Sequence, residues 1–257
     1  MKPMNSRITK NTLLIGVIIL LSAFQLTAPK KVNIVFIGDS ITYGEHSDKL
    51  QPSVYALEYL KKKTGINLNQ SNQGVSGRTT LDFLPGESDF NNTVKAADAF
   101  YADADAQLLF SIMLGTNDSA MKGTHGAPVS PQQYRDNLTT IVNELLKRYP
   151  NSKVIINDPI YYSPNTYNGA MYLQEGLDRL QTYFPEIETL VKGYEATHPG
   201  HVFMGDTEAF DDFRKDYKFA LRPEQGRQGT FYLHPNEIGA KYLGMKWSEA
   251  IYKVLAK

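Results

Sequence analysis

Residues 31–42 read Lys-Val-Asn-Ile-Val-Phe-Ile-Gly-Asp-Ser-Ile-Thr. The run at 32–37 is apolar except for Asn33 and stops at Gly38, the pattern of a strand buried on both faces. Doubly buried strands belong to parallel sheets with helices on either side. A second run of this kind occupies 107–114 and stops at Gly115; a weaker strand at 66–73 stops at Gly74. Shorter strands are expected at 154–157 and 202–204. Between them, Val54, Leu57 and Leu60 lie at helical spacing ahead of Gly65, and helices are also expected at 93–103, 172–183, 187–195 and 236–255. Ser130-Pro131-Gln132-Gln133 opens a further helix, with Ser130 as cap, Pro131 in the first turn and Gln133 placed to reach back. Strand and helix alternate throughout. The fold class is therefore α/β, a three-layer sandwich built on a mostly parallel five-stranded sheet flanked by helices.

The 257 residues and 42% hydrophobic content support a sizeable core, and residues 29–257 are read as one domain. Acidic and basic side chains balance at 27 each, which argues against a nucleic-acid partner held by a positive field. The absence of cysteine excludes disulfides, thiolate catalysis and Cys-ligated zinc. The five histidines, at 46, 125, 198, 201 and 234, have no metal-ligand spacing, and neither metal nor organic cofactor is expected. Lys2, Arg7 and Lys10 precede an apolar run at 13–21 and a small-residue stretch ending at Ala28. The run is too short to span a bilayer, so residues 1–28 read as a secretory signal peptide. The mature protein is then expected in the periplasm or outside the cell, with no membrane anchor after cleavage.

Ligands of open α/β sheets gather at the carboxyl ends of the strands. The first strand is followed by Gly38-Asp39-Ser40, the second by Gly74-Val75-Ser76-Gly77, the third by Gly115-Thr116-Asn117-Asp118. His234-Pro235-Asn236 stands before the last helix. Ser40 could present a hydroxyl at the sheet mouth, Gly74 a free backbone N–H, Asn117 an uncharged amide donor, and His234 a base. Each has a plainer reading: a cap, a turn glycine, a polar loop and a packing histidine. Their order and placement carry the weight.

At these four positions the sequence resembles the SGNH, or GDSL, hydrolases, whose blocks carry Ser, Gly, Asn and His. The likeness runs from about residue 31 to 256. It implies a serine esterase with Ser40 as nucleophile and His234 as base, and an oxyanion hole formed by the N–H groups of Ser40 and Gly74 and the Asn117 side chain. The family usually has Asp three residues before the His; here that residue is Phe231. Glu224, in a loop of Pro223-Glu224-Gln225-Gly226, is the first candidate for a third acid. Asp206 is the second, and a backbone carbonyl serving a Ser–His dyad is the alternative. Within the family the chain most resembles exported bacterial esterases that deacetylate carbohydrates, through Thr230-Phe231-Tyr232-Leu233-His234-Pro235-Asn236 and the Gly239, Ala240, Leu243, Gly244, Trp247 pattern. An acetylated carbohydrate or other small ester is thus the expected substrate. Arg78, Lys122, His125, Tyr161, Tyr162, Asn165, Tyr167 and Asn168 are expected to rim the site, unless the tyrosines only pack their loop down. A lysophospholipase or general short-chain esterase, and an exported sugar-binding protein on a retired hydrolase fold, remain open readings.

Overall fold

A computed structural model describes residues 29–256, so the leader at 1–28 lies outside the described residues. Fifteen regular elements follow in order: β1 (Lys31–Gly38), α1 (Ser40–Tyr43), α2 (Pro52–Thr64), β2 (Asn67–Gly74), α3 (Ser88–Tyr101), β3 (Ala106–Met113), α4 (Pro131–Arg148), β4 (Lys153–Ile156), α5 (Leu173–Gln181), α6 (Phe184–Thr197), β5 (Val202–Met204), α7 (Ala209–Ala220), β6 (Leu221–Gly226), β7 (Gly229–Pro235) and α8 (Glu237–Leu255). The first five strands form one sheet in the order β2-β1-β3-β4-β5, every pair parallel. The chain runs outward from β1 in both directions, so the strand order reverses beside β1, where such sheets open a crevice.

Alternation along β1 assigns the layers. Phe36 stacks on Trp247 of α8 at 5.5 Å between ring centres, and α2 packs along α8. From the other face, Asn33 donates to the Phe100 carbonyl of α3 at 3.1 Å. Phe110 of β3, in register with Val35, meets Tyr149 at the end of α4 on that same side. Side chains 33 and 36 leave a strand on opposite faces. Helices therefore cover both sides, as the three-layer reading requires.

Local chemistry sets the ends. Gly65 terminates α2 in the left-handed region (φ +69°), where a Cβ is strained. Ser130 caps α4 by accepting from the Gln133 N–H at 3.2 Å. Gln133 does not return the bond as expected; its amide donates forward to Asn137 Oδ1 at 2.8 Å. The α3 helix begins five residues earlier than its pattern suggested.

The larger departure lies between β5 and α8. The helix α7 and a separate antiparallel pair, β6–β7, occupy a stretch to which the sequence assigned no element, only a loop at Pro223-Glu224-Gln225-Gly226. Glu224 is on β6 rather than in a loop; His234, which stands before the last helix as expected, and Pro235 end strand β7, and Asn236 caps α8. Among the described residues, no helix is long and apolar enough to cross a membrane. Trp247 is 1% exposed, and its ring fills the joint between α8 and the sheet. Trp247→Ala is expected to cost about 3–5 kcal/mol, measured as a loss of unfolding free energy in denaturant titration.

Candidate active site

Three of the expected side chains meet in a line. His234 Nε2 lies 2.9 Å from Ser40 Oγ, and His234 Nδ1 lies 2.8 Å from Glu224 Oε1. Glu224 Oε1 also accepts the His234 backbone N–H at 3.3 Å. An ionised carboxylate only accepts, so Nδ1 must carry the proton and Nε2 is left to accept from the Ser40 hydroxyl. The Glu224 carboxyl is held below the usual glutamate range. Burial works to raise it, but the hydrogen bond and charge of His234, with the charge of Arg222, prevail. Asp206 is elsewhere: its carboxylate accepts the N–H groups of Glu208 and Ala209 at the start of α7.

The hairpin explains how the acid reaches the base. Glu224 stands directly opposite Phe231 across the β6–β7 pair. The buried Phe231 holds the core side of the position where the resemblance leads one to expect Asp, and the carboxylate comes from the facing strand instead. The hairpin is braced by the tyrosine-rich segment. Ser163 N–H donates to the Tyr232 carbonyl and Ser163 Oγ accepts from Tyr232 N–H, both at 2.8 Å. Arg227 N–H donates to the Tyr167 carbonyl at 2.8 Å.

Gly74 ends β2 against α1, where a Cβ would lie 2.4 Å from the Tyr43 nitrogen. A side chain there would push α1, the helix that carries Ser40, away. Its N–H, expected to be free, donates to Asn72 Oδ1 at 2.9 Å. The buried Asn117 donates one amide hydrogen to the Arg78 carbonyl at 2.9 Å and keeps a second hydrogen. Its Oδ1 accepts from Tyr172 Oη at 2.7 Å, which fixes the amide's orientation. Tyr172 was missed as a site residue, because a tyrosine before an apolar helix reads as packing.

The expected rim is corrected in part. Tyr161 and Tyr162 are buried at 7% and 0% exposure, so they pack their loop down; Tyr162 shares a hydrogen bond with Ser119 at 2.9 Å. Asn165 and Tyr167 serve the hairpin: Asn165 donates to the Thr230 carbonyl at 2.8 Å, and Tyr167 carries the Arg227 guanidinium on its ring. The Arg78 side chain pairs with Asp89, and His125 with Asp82.

Beside Ser40 and His234 is a pocket of about 10 Å³, walled by Ile41, Leu50, Pro235, Glu45 and Arg222. That is room for about one water-sized group. Among the described residues, no cluster of three or more His, Asp or Glu is arranged to hold a metal ion.

A sequence model of the GDSL-like Lipase/Acylhydrolase family matches residues 36–242. The chain belongs to that family. As a GDSL-like acylhydrolase it is an ester hydrolase. A carbohydrate acetylesterase from Sinorhizobium meliloti matches at 17% identity over 87% of this chain and 99% of that one, with a TM-score of 0.58. An aryl esterase from M. smegmatis matches at 16% over 87% and 99%, with a TM-score of 0.59. An acetylxylan esterase from Geobacillus stearothermophilus matches at 19% over 87% and 94%, with a TM-score of 0.55. No curated protein sequence matches this acylhydrolase.

Behind Asn117, the fully buried Asp118 is raised to about 7, chiefly by burial, against the hydrogen bonds it accepts from Thr80. Thr80 in turn accepts from Asn137 at 2.8 Å, so this carboxyl ties the Asn117 loop to the segment holding Arg78. Unfolded, an Asp ionises near pH 4. The folded protein thus keeps a proton that the unfolded chain loses, and Asp118 lowers stability as pH rises from about 4 to about 7, with no further change above. Asp118→Asn, an isostere of the protonated acid, is expected to gain Tm relative to the parent across that window. A Tm difference independent of pH would contradict the assignment.

Proposed function

We propose that the protein removes acetyl or similarly short acyl groups from carbohydrate esters through an acyl-enzyme on Ser40. The carrying observation is the continuous hydrogen-bonded line from Ser40 through His234 to Glu224. In this reading Ser40 Oγ attacks the ester carbonyl carbon while His234 Nε2 takes its proton, and Glu224 stabilises the imidazolium that forms. The carbonyl oxygen becomes an oxyanion facing the second amide hydrogen of Asn117 and the N–H of Ser40, which sits in the first turn of α1 with no helical carbonyl to bond. The Gly74 N–H joins them only by being shared with Asn72 Oδ1. His234 then protonates the leaving alcohol. Water, activated by the same ring, attacks the acyl-enzyme, releases the carboxylic acid and returns the proton to Ser40.

The short-acyl reading fits the small pocket of about 10 Å³ beside Ser40 and His234. Nothing in the site favours lysophospholipid hydrolysis. The carbohydrate reading is supported by the motifs around His234 and by the acetylesterases among the structures of similar fold. An intact Ser–His–Glu line favours turnover over mere sugar binding.

Initial rates on p-nitrophenyl esters of increasing acyl length, and acetate release from acetylated xylan oligosaccharides, test this reading. The parent enzyme is expected to prefer acetate, with kcat/KM falling steeply beyond butyrate, and folded Ser40→Ala is expected to lose both activities. Equal or better turnover of octanoate, or activity persisting in Ser40→Ala, would overturn it. Asn117→Ala is expected to lower kcat by on the order of 10²–10³ with KM little changed.

A further inference from the structure

Two residues that wall the pocket beside the triad take no part in the proton transfers of this reaction. The chain leaves α1 through Gly44 and then Glu45, which also sits in the left-handed region (φ +51°) that non-glycine residues rarely adopt. Its carboxylate, 51% exposed, is gripped by both ends of the Arg222 guanidinium, Nη1 to Oε2 at 2.5 Å and Nη2 to Oε1. Such a fork is the strong form of an ion pair, because two parallel hydrogen bonds fix its geometry. A strained backbone held in place by a fork is how a protein fixes a charge at one point.

The guanidinium faces a second way. Arg222 precedes Glu224 by two residues on β6, and its buried Nε has no hydrogen-bond partner. That nitrogen lies 3.7 Å from Glu224 Oε1, the oxygen that also receives His234 Nδ1. The Glu45 carboxyl is lowered first by its bond from Arg222, and the Arg222 guanidinium is strengthened first by Glu45. The charged and titratable groups about Glu224 are His234 from β7, Arg222 from its own strand, Glu45 from the turn after α1, and the buried Tyr172 hydroxyl before α5. Arg222 is thus the cation that offsets two carboxylates and joins the turn behind the nucleophile to the strand carrying the acid.

We propose that Arg222, anchored by Glu45, is a positioning residue that keeps the Glu224 carboxylate aligned on His234 Nδ1 while the imidazolium forms. This rests on the triad reading of Ser40, His234 and Glu224. The guanidinium opposes rotation of the carboxylate away from the ring, and the fork to Glu45 prevents Arg222 from swinging into solvent or capturing Glu224 outright. Its effect belongs to the transition state, where positive charge appears on His234, and not to substrate binding.

A double-mutant cycle tests the proposal. The kcat and KM for a small acetyl ester are measured for Arg222→Met, Glu224→Gln and the double variant, with Tm as a check on folding. Arg222→Met is expected to lower kcat by about 10- to 100-fold with KM within about twofold. In the Glu224→Gln background the same change is expected to cost less than about twofold, because the group through which Arg222 acts is gone. Glu45→Gln, at an exposed position, is expected to lower kcat a few-fold in the parent only, and it serves where Arg222→Met fails to fold. Equal losses in both backgrounds would overturn the proposal, as would a raised KM at unchanged kcat, which would make Arg222 a substrate contact. If Glu224→Gln alone kept near-normal turnover, the triad reading would fail and carry this one with it. That result is distinct from a crippled Glu224→Gln with additive losses, which overturns the role of Arg222 alone.

Discussion

One carboxylate oxygen organises the catalytic end of this molecule. Glu224 Oε1 accepts both the ring Nδ1–H and the backbone N–H of His234, so a single atom fixes the tautomer, the ring plane and the strand position of the base. A neutral imidazole held this way can only offer Nε2 to Ser40. The cost is an acid placed in a half-buried site, and neighbouring positive charge offsets it. The hairpin that supplies both residues lies outside the main sheet, and it is steadied by the bonds between Ser163 and Tyr232 and between Tyr167 and Arg227.

The opposite end of the site is built on the sheet itself. Ser40 and Asn117 follow the adjacent strands β1 and β3, on either side of the point where the strand order reverses. Tyr172 carries the constraint outward: by donating to Asn117 Oδ1 it fixes the amide so that one hydrogen reaches the Arg78 carbonyl and the other is left without that partner. In the proposed reaction, rigid elements thus hold the oxyanion donors, while a smaller braced unit holds the base.

The main sheet was legible because β1 and β3 are buried on both faces, which forces continuous apolar runs. The strand β2 was legible only weakly, for its sequence Asn-Leu-Asn-Gln-Ser-Asn-Gln-Gly is mostly polar. Its place at the sheet edge explains this, since an edge strand is paired on one side and half exposed. The β6–β7 hairpin was not legible. Pro223-Glu224-Gln225-Gly226 read as a loop, because a proline and a glycine bound the acid. The same blindness hid the origin of the acid. Glu224 could be named as a candidate by its ten-residue distance from His234, but its pairing with Phe231 is a cross-strand fact that spacing alone does not contain. Tyr161 and Tyr162 took the plainer of the two readings the sequence left open, since their polar tips suit a rim while their rings fill the core.

The central claim is that Glu224 is the acid of a working triad, and kcat of Glu224→Gln on a small acetyl ester tests it most directly. Glutamine keeps the size of the side chain but can offer its N–H₂ to Nδ1, favouring the wrong tautomer. The account predicts a loss of about 10⁴ in kcat with the fold and KM retained. A loss of a few-fold or less would contradict it, leaving Ser40 and His234 as a dyad and Glu224 as a bystander.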